Sequence, residues 1–516
     1  MSSGKYFITF VIAGLMIVGW GTIAKAQSTH LTAENLGLGG GGTAYVDGYH
    51  ANFINPANLM LGDDNEPRLM IGLVGGISTD MGGPLANVNV YNQYFTTGTT
   101  VTGSLATEAL NKWFGTDPTQ MKRFGMQTDI IPIGLSYRGD NWAASLALRS
   151  RILVNTSVNK GLAQLGILGF DSDVFANGQP VNFSAESFSF YEVSAGFSMK
   201  VMEIKNLGFA RNVKIYAGAA PKLLLGSNTS KVDFKSVLTL KGADQNNIDE
   251  IIHDFQYTFE TNGELSNQLK QFYRDRQQQQ DTPDINNYVD PSAKDFYGVN
   301  ASGIGIDLGG TIEMDLNVPF VGTISKGPEH LTVGLSLTDV GSLSFSNKVG
   351  RFTANDRLDW KGFNFDQQKI DKKYNGDRQD YIDHVLKDSI ATDIYGSFSP
   401  QGASSLSRNL PTMLNFGSQL KLNKLSISLD FARGFNYEGT NSRRLAMSAG
   451  AEYNLFGFLP LRVGLRTGGY SSTSYSAGLG LEFRNFEFSF AASTVANSIN
   501  NGTNVGAAWS GLVIKF

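Results

Sequence analysis

Residues 425–432 read Leu-Ser-Ile-Ser-Leu-Asp-Phe-Ala, with an apolar side chain at every second position up to Phe431 and small or acidic ones between them. Successive side chains of a β-strand point to opposite faces of its sheet. The stretch is therefore predicted to be a strand with one apolar and one polar face. The same alternation recurs from residue 67 onward, for example in 131–137, 304–316 and 461–466.

The alternation predicts fourteen strands, most of them long enough to cross a bilayer at a tilt, which takes about 9–11 residues. The predicted strands are 67–80, 128–138, 142–153, 187–203, 212–226, 300–317, 330–346, 411–422, 424–434, 444–456, 460–471, 474–484, 486–496 and 505–516. Most connections after even-numbered strands are short, whereas the long ones, 81–127, 154–186, 227–299 and 347–410, follow odd-numbered strands. Short periplasmic turns and long external loops are typical of an outer-membrane barrel.

The fold class predicted from these patterns is an all-β, transmembrane antiparallel β-barrel of about fourteen strands. Three long loops contain segments with helical spacing of apolar residues, at 104–114, 264–281 and 379–389, so the extracellular loops are predicted to be partly helical. A secreted, soluble β-protein is the alternative fold. The nearly continuous apolar band of the strands favours the membrane barrel.

The polar face of each strand is predicted to line the lumen, because an arginine facing lipid at mid-bilayer costs roughly 2–4 kcal/mol. Carboxylates and basic groups both occur on that face. Mixed charge favours a salt-bridged, largely filled interior over an ion-selective pore, with a narrow conduit as the alternative. The predicted lumen charges are Arg149, Glu192, Asp307, Glu313, Asp430, Glu452, Arg462, Arg466, Glu482 and Glu487.

The composition excludes several classes of function. The 516 residues carry a net charge of −4 and include no cysteine, so disulfides and thiolate metal sites are excluded and nothing suggests a nucleic-acid partner. The five histidines are scattered, and no His-x-x-x-His pair, Gly-x-Ser-x-Gly elbow or P-loop occurs. We therefore expect no enzyme activity, no catalytic residue, no cofactor and no metal.

The N-terminus is predicted to be a secretory signal peptide over residues 1–26. Lys5 supplies a positive charge, Tyr6 to Trp20 is uncharged and apolar, and Ala24-Lys-Ala26 is a small-x-small cleavage site. The alternative is an uncleaved anchor. Cleavage after Ala26 leaves a segment at 27–66 and a barrel at 67–516, and we expect the protein in the outer membrane of a Gram-negative bacterium.

The chain ends in an aromatic residue. Gly511, Ile514 and Phe516 resemble the C-terminal signal that the barrel-assembly machinery reads, although Trp509 stands where that signal usually has a polar residue. This machinery is therefore an expected partner.

A candidate apolar pocket is predicted near the outer end of the lumen. The strand phase places Phe188 and Phe190 inside, and loop 154–186 adds Leu165 and Phe170 at the same level. These side chains could bind an apolar ligand, or they could pack beneath the loop.

The segment between the leader and the first strand contains four consecutive glycines, Gly39 to Gly42, followed by small residues and a turn at Asn55-Pro56. A plug inside the barrel explains all of these features, whereas a linker explains only the glycines. The predicted hatch residues are Gly39, Gly40, Thr43, Ala44, Asp47, Asn55, Pro56 and Ala57.

This motif resembles the N-terminal signature of the FadL-like outer-membrane family. The resemblance implies a monomeric fourteen-stranded barrel with an N-terminal hatch. Typical members of that family carry long-chain fatty acids or other hydrophobic compounds inward. A divergent branch acts as a shuttle in type IX secretion and binds secreted proteins.

Two functions follow as hypotheses. The first is passive uptake of fatty-acid-like hydrophobic molecules, which predicts an apolar path from Phe188 and Phe190 to the hatch or to a gap in the wall. The second is a non-transporting barrel whose external loops bind a secreted or surface protein, which predicts a sealed lumen and an exposed apolar loop patch. Outer-membrane lipid is an expected partner in both.

Overall fold

The computed structural model describes fourteen stretches of the chain. These are residues 30–62, 67–96, 98, 101–169, 171–207, 210–244, 247–278, 287–288, 298–316, 329–361, 371–375, 399–469, 473–495 and 503–516. The predicted signal peptide, the predicted helix at 379–389 and Phe170 lie outside the described residues.

Within the described residues, nineteen strands belong to one sheet. They are β1 (Leu69–Gly83), β2 (Met121–Arg138), β3 (Trp142–Asn159), β4 (Gln179–Asn206), β5 (Ala210–Asp244), β6 (Asn247–Thr261), β7 (Ala301–Leu316), β8 (Glu329–Phe345), β9 (Gly350–Lys361), β10 (Ser399–Gln401), β11 (Leu406–Asn409), β12 (Met413–Leu422), β13 (Leu425–Gly434), β14 (Ala446–Leu455), β15 (Leu459–Gly468), β16 (Ser474–Phe483), β17 (Phe486–Val495), β18 (Thr503–Trp509) and β19 (Leu512–Lys515).

Fourteen of these segments form the closed antiparallel wall, when β18 and β19 are counted as one interrupted strand. The wall order is β1 to β5, β7, β8, then β12 to β19, and it closes because β1 pairs with β2 on one side and with β18 and β19 on the other. The predicted fold class and strand number are confirmed.

The two faces of the wall differ as the alternation predicts. Ile427 and Leu429 are exposed on the outside, whereas Ser428 and Asp430 between them are buried inside. The outward apolar side chains form the surface that contacts hydrocarbon.

One strand departs from the predicted phase. The sequence places Ile131 and Ile133 on the same face, but Ile131 is fully buried in the interior and Ile133 is half exposed on the outside. The β2–β3 register shifts between Ile130 and Ile133, around Pro132. A bulge inserts one residue, so the side-chain parity reverses across it.

Beyond the outer end of the wall, the sheet continues away from the membrane. The N-terminal half of β5 pairs with β7 as far as Gly226, and from Ser230 onward β5 pairs with β6 instead. The sheet then runs through β6 to β9 and β10.

Six α-helices occur in the described residues: α1 (Ala33–Gly37), α2 (Val88–Tyr94), α3 (Gly103–Phe114), α4 (Lys160–Leu168), α5 (Ser172–Phe175) and α6 (Gly263–Gln278). Two of them, α3 and α6, confirm the helices predicted in the external loops. No helix within the described ranges is long and apolar enough to span a membrane.

The outward face generates a depth-dependent prediction. Leu429 lies in the middle of the β13 outward row, and Tyr453 lies near the periplasmic end of β14. Leu429→Arg should destabilise the folded barrel by about 2–4 kcal/mol and Tyr453→Arg by about 0–1 kcal/mol, because the penalty for arginine falls toward the interface. Urea unfolding in lipid vesicles measures both values, and equal losses would contradict the assigned depth.

Candidate functional site

Residues 30–62 lie inside the barrel, and we call them the hatch. They comprise α1 and two 3₁₀ turns, Gly48–Phe53 and Pro56–Met60, and none of these residues is solvent-exposed. Thr32 begins α1 with a capping box, in which its hydroxyl accepts a hydrogen bond from the Asn35 N–H. Local caps and apolar clusters such as that of Leu38, Val46 and Ile54 thus hold this short segment in place.

The hatch is bound to the wall by polar contacts. Asp430 Oδ1 accepts hydrogen bonds from the N–H groups of Gly42 and Thr43, at 3.1 and 3.0 Å. Asn55 Nδ2 donates to Thr311 Oγ1 at 2.9 Å and to the Thr43 carbonyl at 2.7 Å. One predicted lumen charge therefore holds the glycine-rich loop of the hatch.

The predicted hatch residues all lie in this plug. Seven are buried and Asp47 is half-buried; the buried ones are Gly39, Gly40, Thr43, Ala44, Asn55, Pro56 and Ala57.

A belt of inward-facing glycines in the wall lets the hatch backbone approach closely. A Cβ atom at any of these positions would overlap a backbone atom of the hatch. The pairs are Gly218 with Pro56 and Ala57, Gly334 with Thr43, Gly450 with Leu38, and Gly464 with Gly39. These wall glycines are explained by the fit between hatch and wall.

A layer of seven buried charged side chains adjoins the hatch. Arg151 Nη1 lies 2.8 Å from Asp339 Oδ2, Lys222 Nζ lies 2.8 Å from Asp307 Oδ2, and Arg149 Nε donates to Glu192. Three cations thus face four carboxylates. The members of this charged layer are Arg149, Arg151, Lys222, Asp129, Glu192, Asp307 and Asp339.

The charged layer contacts the hatch directly. His30 Nδ1 lies 3.2 Å from Asp129 Oδ2, and the Arg149 guanidinium lies 4.0 Å from the centroid of the Phe53 ring. These charges can be buried without a large loss of stability only because each has an oppositely charged neighbour. The layer therefore interrupts any apolar path along the lumen.

Asp129, Arg151 and Asp339 were not among the predicted lumen charges. Arg151 shares a face with Arg149 two positions earlier, so the signal for it was present. Asp129 lies on the N-terminal side of the β2 bulge, and Asp339 lies in a bulge of β8 with a φ of 55°. Counting alternate residues across a bulge assigns a side chain to the wrong face, so neither carboxylate was placed in the lumen.

The remaining predicted lumen charges lie in other interior contacts. Arg462 lies 2.7 Å from Glu452 and 2.5 Å from Glu482. Arg466 Nη1 lies 3.4 Å from the Gly40 carbonyl. Two further ion pairs, at 3.0 and 2.7 Å, are Lys214 with Glu313 and Lys515 with Glu487.

An apolar cluster, which we call the cap, lies on the outer side of the charged layer. Phe188 and Phe190 stack with ring centroids 5.7 Å apart, and the Arg151 guanidinium lies 5.5 Å from the Phe190 centroid. The cap is fully buried; its other members include Leu153, Leu224, Leu343, Phe345, Leu406 and Leu410.

The predicted four-residue pocket is only partly assembled. Phe188 and Phe190 come together in the cap, but Leu165 packs against a different cluster, around Phe175 and Leu238 beneath α4. Phe170 lies outside the described residues. Leu165 is absent from the cap because α4 directs its side chain toward the external sheet instead of toward the lumen.

Loop 435–445 folds inward over the outer mouth, and we call it the lid. Arg123 donates to the carbonyls of Gly439 and Asn441, at 2.8 and 3.0 Å. Asn436 Nδ2 donates to the Leu410 carbonyl at 2.6 Å, which joins the lid to the cap.

The wall beside the cap is interrupted. Between β11 and β12 the chain passes through Leu410 to Thr412 without strand pairing, opposite the bulge at Asp339 in β8. The gap is bridged by Leu410 N–H to the Gly341 carbonyl at 3.0 Å and by Thr412 Oγ1 to the Asp339 carbonyl at 2.7 Å. A few bonds thus close the wall where the cap reaches it.

Two cavities next to the hatch have volumes of about 10 Å³ each and are lined by Gly40, Arg466 and their neighbours. Each is about the space of one water molecule. In the described ranges, no group of three or more His, Cys, Asp or Glu residues is placed to hold a metal ion.

Comparisons with solved structures return a toluene transporter, a hydrocarbon channel and a FadL homologue. The toluene transporter TodX of P. putida is 11% identical, with 95% of this chain and 99% of that chain covered and a TM-score of 0.45. The monoaromatic hydrocarbon channel CymD gives the same identity and coverage with a TM-score of 0.44. A FadL homologue of Pseudomonas aeruginosa, also 11% identical with 95% and 99% covered, gives 0.42.

A family model described as a family of unknown function, DUF5723, matches residues 62–493. No curated protein matches the chain.

The glycine belt generates a prediction with a matched control. Gly464→Ala should lower the urea midpoint of the barrel and expose the hatch to protease, because its methyl group overlaps the Gly39 backbone. Gly310→Ala, in β7, should change neither, since the nearest atom to its Cβ would be 3.9 Å away. Equal protection of the hatch in both variants would show that close approach does not hold the plug.

Proposed function

We propose that this chain, which belongs to the DUF5723 family of unknown function, is an outer-membrane barrel that carries fatty-acid-like hydrophobic molecules passively. The observation that supports this proposal best is the position of the cap. An apolar cluster fills the outer lumen, directly behind the interrupted part of the wall.

The cap has the chemistry of a hydrophobic binding site. Its side chains are apolar and largely buried, so a ligand that displaced Leu406 and Leu410 would exchange one apolar contact for another. Each buried methylene of such a ligand contributes roughly 0.8 kcal/mol. A long acyl chain therefore gains enough to compete with the two leucines.

The charged layer directs the ligand sideways. An acyl chain that moved inward would have to separate Arg151 from Asp339, or Lys222 from Asp307, in a water-poor interior. Breaking a buried ion pair costs about 3–5 kcal/mol. Passage through the wall between β8 and β12 avoids that penalty, since only the few bonds around Leu410 and Thr412 must open.

The segment from Leu406 to Thr412 is the moving part in this proposal. Its strand β11 has four residues and pairs with β8 through Asn409 and Ser342 at its end. The lid holds its far side through Asn436. Movement of the lid and of this segment is thereby coupled.

A reversible disulfide tests the lateral route, and the absence of cysteine in the natural chain makes the test clean. Ser342→Cys with Asn409→Cys, facing residues in β8 and β11, should lock the segment when oxidised. We expect uptake of a long-chain fatty acid into proteoliposomes that enclose a fatty-acid-binding dye to fall at least tenfold on oxidation and to recover on reduction.

The control links β8 to β12 below the gap, through Thr332→Cys with Gln419→Cys. Its oxidation should leave uptake unchanged. Uptake that is insensitive to both disulfides would refute the lateral route, and no uptake by the unmodified protein would refute transport itself.

A second candidate function, binding of a secreted or surface protein, is favoured by the external sheet. Strand β5 runs over 35 residues. At about 3.3 Å per residue this length far exceeds the roughly 25 Å apolar band of a barrel. The extension adds a large external surface, which a protein partner could contact.

Replacing residues 228–299 with a short Gly-Ser linker separates the two functions. The wall pairing of Gly226 with Ala301 closes without this hairpin. Transport predicts that fatty-acid uptake persists in the shortened protein. Loss of a surface-protein complex together with unchanged uptake, or with none in either form, would favour the binding function.

A further inference from the structure

The outer end of the β13–β14 hairpin carries two arginines on its lipid-facing side. The outward row of β13 continues from Phe431, the direct partner of Met447 in β14, to Arg433, and Arg443 and Leu445 lie in the lid just before β14 begins at Ala446. Both arginines are exposed. They therefore lie just above the apolar belt, where the penalty for arginine is small.

The two guanidinium groups are held in place by their own hairpin. Arg433 Nε donates to the Arg443 carbonyl at 3.2 Å, and Arg443 Nε donates to the Phe435 carbonyl at 3.0 Å. The Arg443 guanidinium also lies 5.3 Å from the centroid of the Tyr437 ring. Each side chain is anchored through Nε, so its terminal nitrogens are oriented before any ligand arrives.

These positive charges have no acidic partner among the residues that the structure describes. Arg444, the next residue along, adds a third exposed cation to the same hairpin. The acidic residues nearest in sequence are Asp430, which is buried in the lumen, and Glu438, which is half-buried on the lumen side of the lid among Glu186, Lys231, Arg123 and Arg408. Like charges placed together without a counter-ion favour an anion between them.

Apolar side chains surround the pair on the same outward surface. Leu414, which is paired with Arg433, and Leu445 and Phe435 are each more than two-fifths exposed. A free anion would contact only the arginines. A ligand that carries both an anionic headgroup and acyl chains would contact the arginines and the apolar belt together.

We infer that Arg433 and Arg443 form a site for a phosphorylated glycolipid of the outer leaflet. The forked guanidinium groups bind a phosphate through paired N–H donors, and the acyl chains lie along Leu445, Leu414 and the residues below. The inference depends on placement in the outer membrane but not on hydrophobic uptake. Arg443 and Leu445 belong to the lid, whereas no residue of the cap, the charged layer or the hatch contributes to the site.

Native mass spectrometry of the full-length mature protein tests the site with two probes of identical acyl composition: bisphosphorylated lipid A and its dephosphorylated form. We expect the unmodified protein to bind the phosphorylated form at least tenfold more tightly. Arg433→Gln with Arg443→Gln should reduce that preference to less than twofold. Arg433→Lys with Arg443→Lys, which keeps the charge and loses the fork, should give an intermediate preference.

The matched control is Arg484→Gln, an exposed arginine in the periplasmic turn between β16 and β17, and it should keep the full preference. Heat-modifiability checks that every variant is folded. Equal binding of the two lipid forms by the unmodified protein would overturn the inference, and this comparison needs no variant. Displacement of lipid A by an equimolar amount of inorganic phosphate would also overturn it, because the site would then bind only the small anion.

Discussion

The structure depends on one constraint: the outer surface of the wall contacts hydrocarbon, so the polar side chains at membrane depth must find their partners inside the barrel. The charged layer, the hatch and the lid each supply partners for such polar side chains. Ion pairs satisfy Arg151 and Lys222, and hatch amides satisfy Asp430. In a barrel of this size with an empty lumen, water would solvate these groups. Here the hatch and the ion pairs fill the lumen and bond to them instead.

Filling the lumen places unusual demands on the sequence of the wall. Where the hatch backbone lies against a strand, the facing residue is glycine, as at Gly334 and Gly464. Glycine weakens a strand, so its presence there shows that the fit of the hatch outweighs strand propensity. Hatch and wall are therefore packed as one body, although residues 30–62 contribute no strand to the sheet.

The alternation of residues such as those in 425–432 was sufficient to predict the class of fold and fourteen strands, because the bilayer imposes period two on each crossing. It could not locate the bulges. The alternation of inward and outward side chains reverses at Pro132 and at Asp339. The sequence prediction therefore missed Asp129 and Asp339 and placed Ile131 on the wrong face. Phe188 and Phe190 lay within regular strand and were placed inside; Leu165 depended on the direction of α4, which alternation does not encode.

One of the irregular positions that escaped prediction, Asp339, lies beside the interruption of the wall. Its carboxylate accepts hydrogen bonds from Arg151 and Lys222, while its backbone carbonyl accepts the hydroxyl hydrogen bond of Thr412 that helps to close the gap. A single residue thus joins the charged layer to the interrupted wall. A change that pulls the Leu406 to Thr412 segment away from β8 breaks the Thr412 bond to the Asp339 carbonyl but leaves the ion pairs of the Asp339 side chain in place. Opening of the wall at this bulge therefore requires no separation of the buried charges.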